Sequence, residues 1–370
     1  MAEYIDPNSK DAPQTLTNYP KPISPPLPAI SKHIEQSRAM SASSRSSLFS
    51  LCRSDILFED QWLMAVNKPQ GVYCETILLS VSRMLDDSDG HGNGLTCVLL
   101  CVSFCGSLLI LWKNWWGLED SEVLTNSCEV LFGSKMDDMH MVSLGKRIIW
   151  TWSLHLANRL DRDTSGVMVI TKSHQVAAKL MKAFSDRKVT KTYLALCIGA
   201  APTWEKITIK SGHGRSKFGA WRVYAASDVG RALPNAPAIK DMVTSFEVLS
   251  VNGQGNVKEL PESRKADETV LVVEERSVID SNARQDEILV RAFPRSGRTH
   301  QIRLHCQYLG ISIRGDVKYE GVHEWKGKIY DGHELHAESL SFEHPVTGVD
   351  VAFRAPLPSW AVQALQPSPH

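Results

Sequence analysis

The chain has no Cys-x-x-Cys pair among its eight cysteines and no Gly-x-Gly-x-x-Gly run, which excludes a zinc ribbon, a disulfide frame and a dinucleotide-binding turn. It also lacks net charge, because 41 Lys and Arg balance 41 Asp and Glu. A uniformly basic coat is thereby excluded, and a polyanion partner has to be met by a local patch. No apolar core followed by a cleavage site opens the sequence, which argues against a secretory signal. What is present is an ordinary globular composition, 43% hydrophobic and 22% charged over 370 residues, with a length suited to two or three domains. The cysteine usage points to a reducing compartment, cytoplasm or nucleus before an organelle.

The composition is uneven along the chain. Residues 1–54 hold seven of the 18 prolines before Ala29 and then a serine-rich run from Ser41 to Ser50, which predicts a mostly flexible arm. Ordered structure is expected from Ile56, with strands over Ile56–Phe58 and Leu63–Val66 closed by the Asn67-Lys68-Pro69-Gln70-Gly71 turn. Val167–Ile170 fits a buried strand. Val176, Ala177, Leu180, Met181 and Phe184 fall at helical spacing, and Tyr193–Ile198 returns to strand character. Ile288–Phe293 reads as a strand and His300–Tyr308 as a helix stopped at Gly310. Strands and helices mix without strict alternation, so the expected class is α+β, a mixed and mostly antiparallel sheet flanked by helices.

Local charge sums locate the working region. Arg159–Lys191 carries eight bases against three acids, Glu205–Arg222 five against one, and Arg291–Arg303 four against none. Val251–Glu287, with nine acids against five bases, reads as a long solvated loop. If the fold gathers the basic stretches, they form a polyanion cleft. The most specific run is Asn158-Arg159-Leu160-Asp161-Arg162-Asp163-Thr164-Ser165-Gly166. It sets a carboxylate at a strand entrance among cations that would hold its pKa low, although residue types alone also fit a charged turn capped by Asp163 and Thr164.

This run resembles the RLDxxTSG catalytic motif of the RluA-type pseudouridine synthases, and further segments resemble the same family in the same order. Asp60 with Asn67–Gly71 is similar to its opening motif, and Lys191-Thr192-Tyr193-Leu194-Ala195 to its KxYxA strand. Ser296–His305, with Leu309-Gly310 and Gly315-Asp316, resembles TGRTHQIRxH…LG…GD. Leu335-His336-Ala337 and His344-Pro345 resemble its C-terminal signature. The wording around Val72–Glu75 and His155–Ser173 is most similar to the plant RNA pseudouridine synthase 5 branch. Asn158 stands where the wider family has His, and Ser296 replaces Thr.

The resemblance implies an isomerase that breaks the N1 glycosidic bond of a uridine in RNA, turns the base and rejoins it through C5. It implies Asp161 as the catalytic carboxylate, acting as a nucleophile or as a base at C2′. Arg303 would be its ion-pair partner, Tyr193 would pack against the extruded uracil and take part in C5 proton transfer, and Arg159 would enter the RNA where the uridine leaves. Thr164, Ser165, Gly166, Arg298, His300 and Gln301 would support the site. No cofactor and no metal is implied, and His300, His305, His333 and His336 show no recognised zinc pairing with Cys. The implied partner is a tRNA or rRNA, with no membrane expected, and the protein would act as a monomer.

One segment fits nothing in the family. Gly71 and Arg159 lie 88 positions apart, so residues 76–153 are expected to be a non-family insert, read as a translated intron or an error of gene prediction. The segment contains the uncharged run Leu95–Trp112, 18 residues long and at the lower limit for a membrane span. The resulting expectation is an arm over 1–54, a catalytic domain over 55–360 interrupted by the insert, and a tail over 361–370. Two alternatives are a non-catalytic RNA-binding protein whose catalytic strand the insert displaces, and a retaining N-glycoside hydrolase using Asp163 as a second carboxylate.

Overall fold

The computed structural model describes residues 19–88, 139–144, 147–234, 236–255, 269–277 and 284–366, with backbone alone for 86–88, 139–144 and 147–152. Nine strands carry the architecture: β1 (Ile56–Glu59), β2 (Leu63–Lys68), β3 (Ser165–Thr171), β4 (Thr190–Gly199), β5 (Lys206–Arg215), β6 (Lys240–Val251), β7 (Thr269–Val272), β8 (Asp286–Pro294) and β9 (Leu335–Glu343). Five helices accompany them: α1 (Ala29–Ser46), α2 (Cys74–Ser88), α3 (His174–Ser185), α4 (Gln301–Tyr308) and α5 (Ser359–Leu365). The sheet order is β1-β2-β3-β9-β4-β8-β6-β5-β7. Only β3 with β9 and β5 with β7 run parallel on this path, so the sheet is mixed and mostly antiparallel, as the α+β reading expects.

The apolar runs in β2 and β3 are continuous because both faces of this half of the sheet are covered. Met64, Val66, Met168 and Ile170 point to one side and pack with Ile77, Val81 and Leu85 of α2. Leu63, Ala65, Val167 and Val169 point to the other and meet Leu180 of α3. This is the two-residue alternation of a strand resolved onto two separate cores. Met181, one residue beyond Leu180, is exposed. In the other half, Ala195 and Cys197 of β4 and Val290 of β8 pack with Ile302, Leu304 and Cys306 of α4. The cleft lies between the halves, and Tyr193 touches both cores.

Several boundaries differ from the sequence reading. The expected flexible arm is ordered from residue 19. Ile23 donates its N–H to the Val223 carbonyl at 2.9 Å, and Ser24 Oγ accepts from Arg222 Nε at 2.9 Å and from the Val223 N–H at 3.1 Å. Arg38 of α1 is buried, donating from Nη1 to the Gly315 carbonyl at 3.0 Å and from Nη2 to the Tyr330 carbonyl. Composition misses this docking because a few apolar contacts, Ile23 and Leu27 among them, are joined by buried polar side chains whose partners lie far along the chain. Arg38→Ala removes the Arg38 donor to the Tyr330 carbonyl and leaves the Gly315 carbonyl only its Val317 N–H, and we expect it to cost about 1–3 kcal/mol and to speed protease cleavage within residues 19–46, read by urea unfolding and limited proteolysis respectively.

The start of the expected insert also belongs to the domain, since Thr76, Ile77, Leu78 and Val81 are buried. The non-catalytic alternative needed a displaced catalytic strand. Instead β3 pairs in unbroken register with β2 from Leu63↔Thr171 to Lys68↔Gly166. The Leu95–Trp112 run lies outside the described residues, and among those described no helix is long and apolar enough to cross a membrane. Within the expected solvated loop, β7 adds a parallel edge strand to β5. The expected tail contains most of α5, whose Ala361 and Ala364 are buried and which packs beside Leu196 and Leu289.

Candidate active site

The loop carrying Asp161 enters β3 and is held from below by the Asn67–Gly71 turn. Lys68, fully buried, donates from Nζ to the carbonyls of Arg162 at 2.8 Å and Pro69 at 2.9 Å. The Gly71 N–H reaches the same Arg162 carbonyl at 3.0 Å. Burial pushes the Lys68 pKa down to about 8, so the ammonium is spent on fixing the loop. Asn158 accepts the Val169 N–H through Oδ1 at 2.7 Å, which ties the loop to β3.

The Thr-Ser-Gly step supports the loop from its other end. Thr164 Oγ1 lies 2.8 Å from His333 Nε2, and Ser165 Oγ lies 2.8 Å from His336 Nδ1. Gly166 pairs with Ala337 at φ +108°, and a Cβ there would lie 2.2 Å from the Ala337 carbonyl oxygen. No other residue permits this approach.

From the opposite half, α4 delivers Arg303. Its Nη1 donates to Asp161 Oδ2 at 2.7 Å, while Nε and Nη2 grip the two oxygens of Asp316 at 2.7 and 2.8 Å. Arg303 is 5% exposed and Asp316 1%, whereas Asp161 keeps 30% of its side chain open to the cleft. His300 precedes the helix at φ 58°, a left-handed conformation that His tolerates better than most residues. Its Nδ1 lies 2.7 Å from the Tyr319 hydroxyl and its Nε2 3.8 Å from Asp161 Oδ2.

The electrostatics keep Asp161 ionised. Burial opposes its charge, but His300 and His333, charged only at the low pH where Asp161 would take a proton, and the charge and hydrogen bond of Arg303 outweigh burial and hold the carboxyl well below the usual range. Burial, reinforced by Arg303, also pushes His300 down to about 3, so its ring is neutral at pH 7. The cation that matters there is Arg303. Burial and then the Asp161 charge raise Tyr193 to about 12, so its phenol keeps its proton.

A cleft of about 910 Å³ lies over this centre, and Asp161, Tyr193, Arg159, Thr164, Arg298, His300, Gln301 and Arg303 all line it. The sequence-predicted residues Ser165 and Gly166 do not line it but sit behind, in the β3–β9 pairing. Arg159 stands at the rim, 55% exposed and ion-paired to Glu75 of α2 at 3.0 Å. Gln301 is structural, donating to the Val243 carbonyl at 2.8 Å and accepting from Ser296 Oγ at 2.7 Å. Asp163 is buried and held by Arg162 through two bonds of 2.7 and 2.6 Å, which removes it as a second carboxylate for glycoside hydrolysis. Sequence reasoning gave no role to Asp316, Tyr319 or His333, and none to Glu35 of α1, which lines the cleft and lies 3.4 Å from Arg162. The Gly315-Asp316 pair was the available signal for the first of these.

The sequence profile described as RNA pseudouridylate synthase matches residues 152–308, the stretch holding Asp161, Tyr193 and Arg303. RNA pseudouridine synthase 1 of Arabidopsis thaliana is 51% identical over 345 residues, covering 93% of this chain and 87% of that protein. The chain belongs to the RluA-type RNA pseudouridine synthases. The similarly named synthase 1 of Oryza sativa subsp. japonica is also 51% identical, over 347 residues, covering 93% of this synthase and 83% of its relative. A solved structure of human RNA pseudouridylate synthase domain containing 1 aligns over 87% of this synthase and 100% of its own chain, at 17% identity and a TM-score of 0.46.

Proposed function

We propose that the cleft around Asp161 isomerises a uridine in RNA to pseudouridine, with Asp161 as the catalytic carboxylate. The observation that carries this reading is an ionised carboxylate, open to the cleft and held by a buried arginine that the other half of the sheet supplies. The reaction breaks the C1′–N1 bond, forms a C1′–C5 bond, and exchanges the C5 proton for one on N1, so it is an isomerisation that requires no oxidant, reductant or transferred group. Asp161 acts on the ribose, as a nucleophile or as a base at C2′. Tyr193 packs against the uracil. Because its proton is already in place, a C5 proton passing through its oxygen requires the phenolic proton to move on in the same step. Arg159 leaves its exposed pair with Glu75, worth about 0–1 kcal/mol, to occupy the gap left by the flipped uridine, offsetting part of the few kcal/mol that extrusion costs. Thr164 and His300 position the loop and its arginine partner, and the protein works as a monomer.

The relatives at 51% identity are both named synthase 1, and this subgroup is the one they favour over the synthase 5 branch expected from the motif wording. The test is incubation with total RNA followed by pseudouridine mapping and assay of released base. New pseudouridine without free uracil is expected. Free uracil would establish hydrolysis instead, and unmodified but bound RNA would establish a binding protein.

A further inference from the structure

One wall of the cleft carries a charge cluster that the isomerisation chemistry does not use. Arg187, Lys191 and Arg298 all line the cleft. Behind them Asp241, at the start of β6, accepts from Arg187 Nη2 through Oδ2 and from Arg298 Nη2 through Oδ1 at 3.0 Å, and its carbonyl accepts from Arg298 Nε at 3.0 Å. Lys191 donates to the Ser296 carbonyl at 2.8 Å. Two guanidiniums therefore share one carboxylate, which is not itself a lining residue, and Lys191 adds a third cation to the same wall. Lys191 and Tyr193 are two residues apart on β4 and so share a face, about 7 Å from each other along the strand. The cluster thus begins one short step from the base-binding tyrosine.

Arg187 adds a second, independent indication. It follows the C-terminus of α3 at φ 59°, with its N–H bonded to the Phe184 carbonyl at 3.2 Å. Helices commonly end on glycine in this conformation, since a Cβ there is strained. An arginine in this place keeps a 50% exposed guanidinium at the cleft wall in spite of that strain. The Arg187–Asp241 and Arg298–Asp241 pairs are too exposed, with Asp241 itself 40% open, to account for it through stability.

We propose that Arg187, Lys191 and Arg298 form a phosphate subsite for the RNA strand beside the uridine pocket, and that Asp241 is its built-in counter-charge. While the cleft is empty, Asp241 holds the two guanidiniums extended in the directions a phosphodiester requires, and it tempers the attraction of the wall for anions. The inference rests on the cleft being the RNA-binding groove.

The experiment measures equilibrium binding of a twelve-nucleotide oligouridylate to the full-length protein across a salt series, in an Asp161→Ala background so that nothing turns over. Asp241→Asn keeps an oxygen acceptor for the arginines but removes the charge, and it should bind about fivefold tighter at low salt, the size of one unit charge acting about 4 Å away through water. Arg187→Gly should bind more weakly, with the slope of log affinity against log salt reduced by about 0.7, one single-strand phosphate contact. It should melt no lower than the parent, because glycine relieves the left-handed residue. A merely structural role for this cluster predicts the opposite pattern, with Arg187→Gly and Asp241→Asn losing stability and leaving the slope unchanged. Equal or weaker binding by Asp241→Asn, or an unchanged slope in Arg187→Gly, overturns the subsite while leaving the groove intact. Salt-independent binding by the parent overturns both.

Discussion

Asp161→Ala should stop pseudouridine formation without unfolding the protein. The carboxylate lines the cleft, 30% open to it and held by Arg303, and removing the group proposed to act on the reacting atoms should cost about 10²–10⁴-fold or more in rate. Stability should change little, because Arg303 keeps both of its bonds to Asp316 when Asp161 is lost. Asp161→Asn separates charge from shape: its amide oxygen still accepts from Arg303, yet it carries no negative charge, and it should be as inactive as the alanine variant. The measurement is the pseudouridine formation rate on total RNA beside a thermal melt, and parent-like rates in either variant would remove Asp161 from the chemistry. In the parent, the carboxyl sits well below its ordinary value. Its protonation should therefore produce no acid limb in the rate above about pH 4.

Arg303→Met has the larger structural effect, because one guanidinium serves two carboxylates. Methionine fills much of the space but leaves Asp316, 1% exposed, without its partner. Breaking a buried pair on one side typically costs about 3–5 kcal/mol, and activity should vanish as well. The pH dependence has a defined sign. In the parent, burial opposes the Asp316 charge but Arg303 lowers its pKa. That stability is complete above the unfolded carboxyl value and is lost as the pH falls through the folded one. In the variant burial is opposed only by the weaker influence of His333 and His300, so the folded pKa is expected above the unfolded one, and the carboxylate destabilises the protein until it takes a proton. The deficit against the parent should therefore narrow as the pH falls from 7 toward 5 in urea unfolding. A deficit that is constant or widens over that range would show that Asp316 is not what Arg303 neutralises.

The parts of this site that can be read from the sequence are those whose chemistry is local. Asp161 and Arg303 each sit in a short run of unusual composition, and the apolar periods around β2, β3, β8 and α4 place those runs at element boundaries. Partners brought together by topology are not visible in this way. His333 and Thr164 meet because β9 inserts beside β3, and Asp316 reaches Arg303 from a turn 13 residues further along the chain. The N-terminal segment was misjudged for a different reason. Its proline and serine content reports a shortage of apolar area, but its attachment draws on Ser24, which accepts from Arg222 and Val223, and on Arg38, which donates to the Gly315 and Tyr330 carbonyls. Glu35 reaches the cleft only because that helix is docked.

The sheet order has a consequence for how the protein is made. β9, beginning at Leu335, lies between β3 and β4, so the strand that completes the floor of the site is synthesised after the other eight of the sheet path. Until it emerges, residues 165–166 of β3 and 190–195 of β4 lack their strand partner, although His155–Leu156 already pairs with the far end of β3 and Ile311–Ile313 with that of β4, and the Gly166 contact that sets the Asp161 loop does not exist. A ribosome-bound chain ending before residue 335 would hold most of the residues of the site and none of its geometry, and would depend on protection of those two edges to avoid pairing with a neighbour.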